Sequence, residues 1–157
     1  MTDIVVYDDK AVSNVAFVVF SLKGGREMVQ YLSEDWRAEV EKRLKEGLTP
    51  EKMNYSSSSM NNRYLNCPDG KTHYFFVGFN EGEVESVQVG EGEGPKAEFI
   101  ITGDYEVFAQ VSRAELNAQR ALMGGNLKLK GNMVKALKLA STVDRLNKII
   151  ATIETEF

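Results

Sequence analysis

A chain of 157 residues, 43% hydrophobic and 27% charged, has the material for one domain with a sizeable buried core and is too apolar to remain disordered. Its 19 basic and 23 acidic residues leave a net charge of −4, which argues against general nucleic-acid binding, because that needs positive potential along the phosphates. A single cysteine, Cys67, and a single histidine, His73, exclude an intramolecular disulfide framework and a four-ligand zinc site built from Cys and His. Reduced cysteine usage makes the cytoplasm the expected compartment, and no apolar run reaches the ~18 residues that a membrane-spanning helix needs.

Residues 1–27 read as a separate piece. Val15 to Phe20 is a short apolar run that follows Asp3, Asp8 and Asp9 rather than a basic segment, so it makes a poor signal peptide. Helix and strand periods overlap there and do not separate. Two readings stand for this stretch. It is an extra element packing through Val15, Phe17, Val18 and Phe20, or Met28 is the native start and Gly24 to Glu27 reflect a purine-rich ribosome-binding sequence ahead of it.

Ser33 to Glu46 reads as a helix. Ser33 is a capping residue, Glu34 and Asp35 suit the positive end of the dipole, and Gly47 is a stop. Trp36, Val40 and Leu44 share one face. Thr49 and Pro50 predict a second helix start. Ser56 to Leu65 is polar but unbroken. Pro68, Asp69 and Gly70 form a turn signature. Thr72 to Phe79, rich in aromatic and β-branched residues, predicts a strand; Asn80, Glu81 and Gly82 predict a tight turn, and Glu83 to Val89 the hairpin partner. Gly90 to Pro95 is a loop and Ala97 to Thr102 another strand.

Asp104 is placed to cap a helix carrying Tyr105, Val107, Phe108 and Val111. Ser112 is placed to cap the next, carrying Leu116, Leu122 and Met123. Leu127 and Leu129 alternate with Lys128 and Lys130 as a half-buried strand ended by Gly131. Met133 to Ile153 predicts one long helix whose apolar arc is wider than a single core stripe needs. This order argues for a curved mixed sheet covered by helices on one face, with the last strand pairing in parallel after a helical crossover.

The segment Ala121 to Met133 combines a small residue, apolar residues, Gly124 and Gly125, an alternating Leu/Lys strand, and Gly131-Asn132 leading into the last helix. It resembles the C-terminal signature of the sterol carrier protein-2 family. Ala97 to Thr102 followed by Gly103, Asp104, Tyr105 and Glu106 resembles that family's strand and capped helix. The resemblance is good over about Ala97 to Leu139, looser back to about Met28, and makes 28–157 the family-like domain. It implies an α+β fold, a five-stranded mixed curved sheet covered by helices around an apolar tunnel. It also implies binding of fatty acid, fatty acyl-CoA, phospholipid, isoprenoid or sterol-like lipids without chemistry on them. Asn61, Asn62 and Arg63 depart from an apolar wall, and Asn126 stands where the family often has lysine.

Candidates to line such a tunnel are Phe75, Phe99, Ile101, Phe108, Met123, Leu127, Leu129, Met133 and Leu137. The same pattern by itself describes a filled core. Between residues 128 and 148, six basic residues face Asp144 alone, a local charge of +5. Lys128, Lys130, Lys135 and Lys138 are the candidates for head-group or anionic-membrane contact; the other reading is the solvated face of an amphipathic helix.

Glu81, Glu83, Glu85, Glu91 and Glu93 read as a solvated loop rather than a metal site. His73 and Cys67 have no evident catalytic companions. Gly90 to Gly94 lacks the GxGxxG spacing and a following helix, and Ser56 to Ser59 has no nucleophile elbow. No cofactor and no metal are expected, and the expected partner is a lipid or acyl-CoA. Binding and transfer of lipid without catalysis is therefore the leading expectation. An accessory subunit presenting acyl substrate to an enzyme, an enzyme with a convergent polar cluster in its cavity, and an interaction protein with a filled core are the competing ones. Ligand identity and oligomeric state stay open.

Overall fold

A computed structural model describes residues 28–157, so both readings of residues 1–27 lie outside the described residues. A two-residue strand β1 (Val29–Gln30) leads into helix α1 (Glu34–Gly47). Ser33 Oγ accepts the Trp36 N–H at 3.1 Å, which satisfies a backbone donor that the first turn leaves free. Trp36, Val40 and Leu44 are buried on one face, while Arg37, Arg43 and Lys45 pair with glutamates one turn away on the other. Gly47 sits where an added Cβ would lie 2.9 Å from the Ile149 side chain, so its bareness allows close approach to the last helix.

The second helix predicted at Thr49 and Pro50 is a single turn instead. Thr49 Oγ1 does accept the Lys52 N–H, but the chain enters the left-handed region at Asn54 and Tyr55 and the helix ends there. Four strands follow: β2 (Ser58–Leu65), β3 (His73–Asn80), β4 (Glu83–Glu91) and β5 (Phe99–Asp104). Helices α2 (Tyr105–Ser112) and α3 (Ala118–Met123) precede strand β6 (Leu127–Lys130). The caps differ from expectation at α2, where Asp104 makes no side-chain capping bond and its carboxylate accepts from Asn66 instead, and at α3, which starts from Asn117 rather than Ser112. The long helix predicted from Met133 is two, α4 (Met133–Lys138) and α5 (Ala140–Ile150), broken at Leu139, and a short strand β7 (Thr155–Glu156) pairs in parallel with β1. No helix among the described residues is long and apolar enough to cross a membrane.

The main sheet has the order β4-β3-β2-β5-β6. Only β2 and β5 run parallel; β6 is antiparallel to β5, against the expectation that the last strand would pair in parallel. The two-helix crossover reverses the chain, and the parallel pair is made instead by the β4–β5 connection, which passes from one edge of the sheet to its middle. In register, Asn62 stands opposite Phe75 on one side and Ile101 on the other, and Ile101 opposite Leu129. Side chains alternate along strands, so Met60, Asn62 and Tyr64 share this face with Phe75, Ile101 and Leu129. The helices cover it. Trp36 of α1 meets Phe75 edge-on at 5.0 Å, and Phe108 of α2 meets Tyr64 at 4.3 Å between ring centroids.

The opposite face is crossed by the β4–β5 connection. Asn61, 0% exposed, donates from Nδ2 to the carbonyls of Glu93 and Pro95 at 2.6 and 3.1 Å, and Arg63 Nε donates to Glu93 O. Gly94 lies on the ring of Tyr74, with φ of +76°, where a Cβ would meet the ring at 2.4 Å. The polarity of Asn61 and Arg63 therefore serves a loop tether and has no part in the helix-covered face. Asn61→Ala removes both bonds and is expected to cost about 2 kcal/mol, read as a lowered urea midpoint, with faster amide exchange or proteolysis in residues 91–98. An unchanged midpoint would mean that the tether carries no stability.

Candidate functional site

Between the helix-covered face of β2, β5 and β6 and the four helices α2 to α5 lies a cavity of about 450 Å³. Met60 and Asn62 from β2, Phe99 and Ile101 from β5, and Leu127 and Leu129 from β6 form its floor. Phe108 and Val111 of α2, Leu122 of α3, and Ala140, Val143 and Leu146 of α5 form its walls. Met133, Ala136 and Leu137 of α4 form its rim. Gly103 helps to keep the floor low, since a Cβ there would run into the Leu127 side chain at 2.4 Å and crowd the Asn126 carbonyl at 3.0 Å.

The rim is unusual physically. Helix α4 buries none of its residues. Met133 is 57% exposed and Leu137 62%, and Val134 beside them is exposed as well. An apolar cluster at the edge of an apolar cavity is the arrangement expected where an apolar molecule enters. The helix is held by polar contacts in its first turn. Asn132 Oδ1 accepts the Lys135 N–H at 3.0 Å, and Lys135 Nζ reaches Glu98 at 2.8 Å and the Ser57 carbonyl at 3.3 Å.

Seven of the nine apolar residues singled out in the sequence meet in this cavity: Phe99, Ile101, Phe108, Leu127, Leu129, Met133 and Leu137. Phe75 shares their face of the sheet but stands on the far side of β2, where Trp36 covers it. Met123 is 84% exposed; one residue corresponds to ~100° of helical rotation, and Leu122 takes the inward position. Met60, Phe79, Val111, Leu122, Val143 and Leu146 line the cavity without having been singled out. For Val143 and Leu146 the signal was the wide apolar arc of the last helical segment.

None of the four candidate head-group lysines lines the cavity. Lys128 and Lys130 alternate with the lining leucines and so lie on the opposite face of β6. Lys135 is spent on Glu98, and Lys138 is exposed. Asp144 is the one charged residue of the lining and pairs with Lys148 at 3.1 Å.

A buried polar chain runs beside the cavity. Ser112 Oγ and the Tyr31 hydroxyl are 3.0 Å apart, and Tyr31 donates to the Tyr64 hydroxyl at 3.5 Å. Burial pushes the Tyr31 phenol up to about 12 and the Tyr64 phenol up as well, so both stay protonated as neutral hydrogen-bonding groups. Elsewhere, the β2–β3 turn gathers Cys67, Asp69 and His73 with ligand atoms within 4.8 Å of one another, a grouping that sequence spacing did not reveal. His73 Nε2 lies 2.7 Å from Asp69 Oδ2, and the Cys67 thiol donates to the Tyr64 carbonyl at 3.4 Å. Burial raises the thiol pKa, which keeps it a poor nucleophile.

The sequence profile described as the SCP-2 sterol transfer family matches residues 49–144. A crystal structure of sterol carrier protein 2 superposes with a TM-score of 0.70 at 22% identity, covering 79% of this chain and 99% of that one. The solution structure of a conserved hypothetical protein, possibly sterol carrier protein, from Thermus thermophilus gives 0.68 at 22% identity over 84% and 95%. The solution structure of the sterol carrier protein domain 2 of Helicoverpa armigera gives 0.53 at 21% over 78% and 91%. At these identities the likeness establishes the α+β fold with its mixed five-stranded sheet. No curated protein matches the chain by sequence.

The Glu98–Lys135 pair has a pH signature. The hydrogen bond from Lys135, and after it the one from Ser58, holds the Glu98 carboxyl below the usual carboxylate range. Its contribution to stability is therefore present above the unfolded carboxylate pKa and lost as pH falls through the lowered folded value. Both side chains are more than a third exposed, so the contribution stays below ~1 kcal/mol. An NMR titration of the Glu98 carboxyl is expected to give a midpoint below that of free glutamate, moving back up in Lys135→Met. Equal midpoints in the two proteins would show that Lys135 does not hold α4 at this point.

Proposed function

We propose, given that the chain belongs to the SCP-2 sterol transfer family, that it binds a lipid in the cavity and transfers it without altering it chemically. The observation that carries this reading is the 450 Å³ space walled by aliphatic and aromatic side chains, with an exposed apolar rim on α4. Each methylene moved from water into such a space contributes about 0.8 kcal/mol, so a long tail is held without shape-specific contacts. Met60 and Met133 add unbranched, adaptable surface to the wall. The cavity wall carries no lysine, arginine, histidine or cysteine, which supports a carrier over a catalyst. A space of this size also favours a carrier over an interaction protein with a filled core.

Fatty acid, acyl-CoA, isoprenoid and sterol-like lipids are the proposed ligand classes, and the cytoplasm the proposed compartment. Delivery would involve brief contact of the α4 rim with a membrane surface. Met133, Val134 and Leu137 offer apolar insertion, and the exposed Lys138 an attraction to anionic head groups.

Native mass spectrometry of the purified protein, followed by solvent extraction, is expected to reveal a bound lipid. Ala140→Trp, which places a bulky ring in the cavity, is expected to weaken binding of a fluorescent fatty acid about tenfold or more while leaving the circular dichroism spectrum unchanged. A clean apo mass together with no fluorescent fatty-acid binding to the wild type would overturn the carrier reading.

A further inference from the structure

The single cysteine and the single histidine of the chain meet at one turn. Cys67, Asp69 and His73 stand where β2 gives way to β3, and the sulfur, a carboxylate oxygen and an imidazole nitrogen lie within 4.8 Å of one another. None of the three residues lines the cavity, so nothing at this turn depends on the lipid reading.

We propose that Cys67, Asp69 and His73 form a binding site for a divalent cation of the zinc class, with thiolate, carboxylate and imidazole as three ligands and solvent as the fourth. These are the donor types that zinc takes, and three protein ligands leave one position open. Bond lengths near 2.0–2.3 Å put neighbouring ligand atoms of a tetrahedral zinc roughly 3.3–3.6 Å apart. His73 Nε2 and Asp69 Oδ2, at 2.7 Å, open slightly to admit the ion. The widest separation in the group has to shrink by about an ångström. The imidazole binds through Nε2 as the neutral ring with its proton on Nδ1, and the thiol proton leaves to solvent. A thiolate and a carboxylate then offset the two positive charges. Lys71, the nearest cation in sequence, is drawn to Glu91 at 3.3 Å.

The backbone holds the donors in place. The Gly70 N–H donates to the Cys67 carbonyl at 2.8 Å, and the chain reverses through Asn66 and Gly70 with φ of +55° and +78°. The Lys71 N–H donates to Asp69 Oδ1 at 2.9 Å, which leaves Oδ2 for the histidine side. His73 opens β3 and is fixed in register between Tyr64 and Glu91. The Asp69 and His73 side chains are 46% and 20% exposed, whereas Cys67 is buried. An ion therefore enters past the carboxylate and meets the sulfur last. The thiol gives up one long contact, to the Tyr64 carbonyl at 3.4 Å, and S–H is a weak donor. An ion pair alone would need Asp69 and His73 but not the thiol beside them.

The test uses the full chain stripped with a chelator, and Co2+ as the spectroscopic stand-in for Zn2+. A sulfur-to-cobalt charge-transfer band is expected, saturating at one ion per chain and abolished when Zn2+ displaces the cobalt. With one cysteine in the chain, such a band reports on Cys67 alone. His73→Ala and Asp69→Asn, both at solvent-reached side chains, are expected to weaken Co2+ binding at least tenfold while the circular dichroism spectrum stays the same. Cys67→Ser is expected to lose the band. Absence of the band in the wild type at millimolar Co2+ would overturn the proposal without recourse to any variant. Saturation at one ion per two chains would overturn it as well, because the ligands would then be thiols of two molecules. Undiminished affinity in His73→Ala would do the same.

Discussion

Strand β2 is where the two faces of the sheet are decided. It lies between an antiparallel neighbour and the one parallel partner, so its backbone is fixed on both edges. Side chains on such a strand have no rotational freedom about the strand axis, and a slip of one residue would exchange the faces completely. Asn61 and Asn62 are chemically identical and adjacent, yet one holds the β4–β5 connection on the outer face and the other looks into the cavity. Tyr64, two residues further, brings the aromatic cluster of Tyr31, Phe108 and Trp36 into the same layer as the cavity floor.

The parallel β2–β5 pair also sets where the cavity lies. Helix α1 closes the β3–β4 side with Trp36 against Phe75. The β5–β6 side is left to α2, α3, α4 and α5, which are short and separate. Short helices joined by breaks do not fill a concave surface as one long helix would, and α4 in particular contributes a rim rather than a core layer. The space is thus a product of helix segmentation over a twisted sheet.

Much of this was readable from the residues. The cap and spacing of α1, the β3–β4 hairpin and the alternation of β6 follow from local rules, and the family signature lies in Ala121 to Met133, where those rules are densest. Period-two alternation also placed Leu127 and Leu129 on one face of β6. What escaped reading depends on long-range pairing. Nothing local distinguishes Asn61 from Asn62 until the β4–β5 connection is known to cross one face. The break at Leu139 is made by residues that each suit a helix, so propensity could not mark it. Phe75 and Leu129 carry the same apolar, strand-borne signal, and only the strand order separates a residue under Trp36 from one in the cavity. The lysines of β6 show the reverse case: their alternation with leucine already implied the opposite face, and the charge total of the segment obscured it.

The pairing of β1 with β7 has a consequence for synthesis. Tyr31 packs against Trp36, Tyr64 and Tyr105, and also against Phe157 at 4.7 Å, so its environment is complete only when residues from both ends of the described chain are present. Val29 and Gln30 find their strand partners in Thr155 and Glu156. During translation the nascent chain can form the hairpins of the sheet, but the cluster around Tyr31 stays open until residues 155–157 clear the ribosome. Contacts of such high sequence separation are slow to close. The domain thus completes its aromatic layer late.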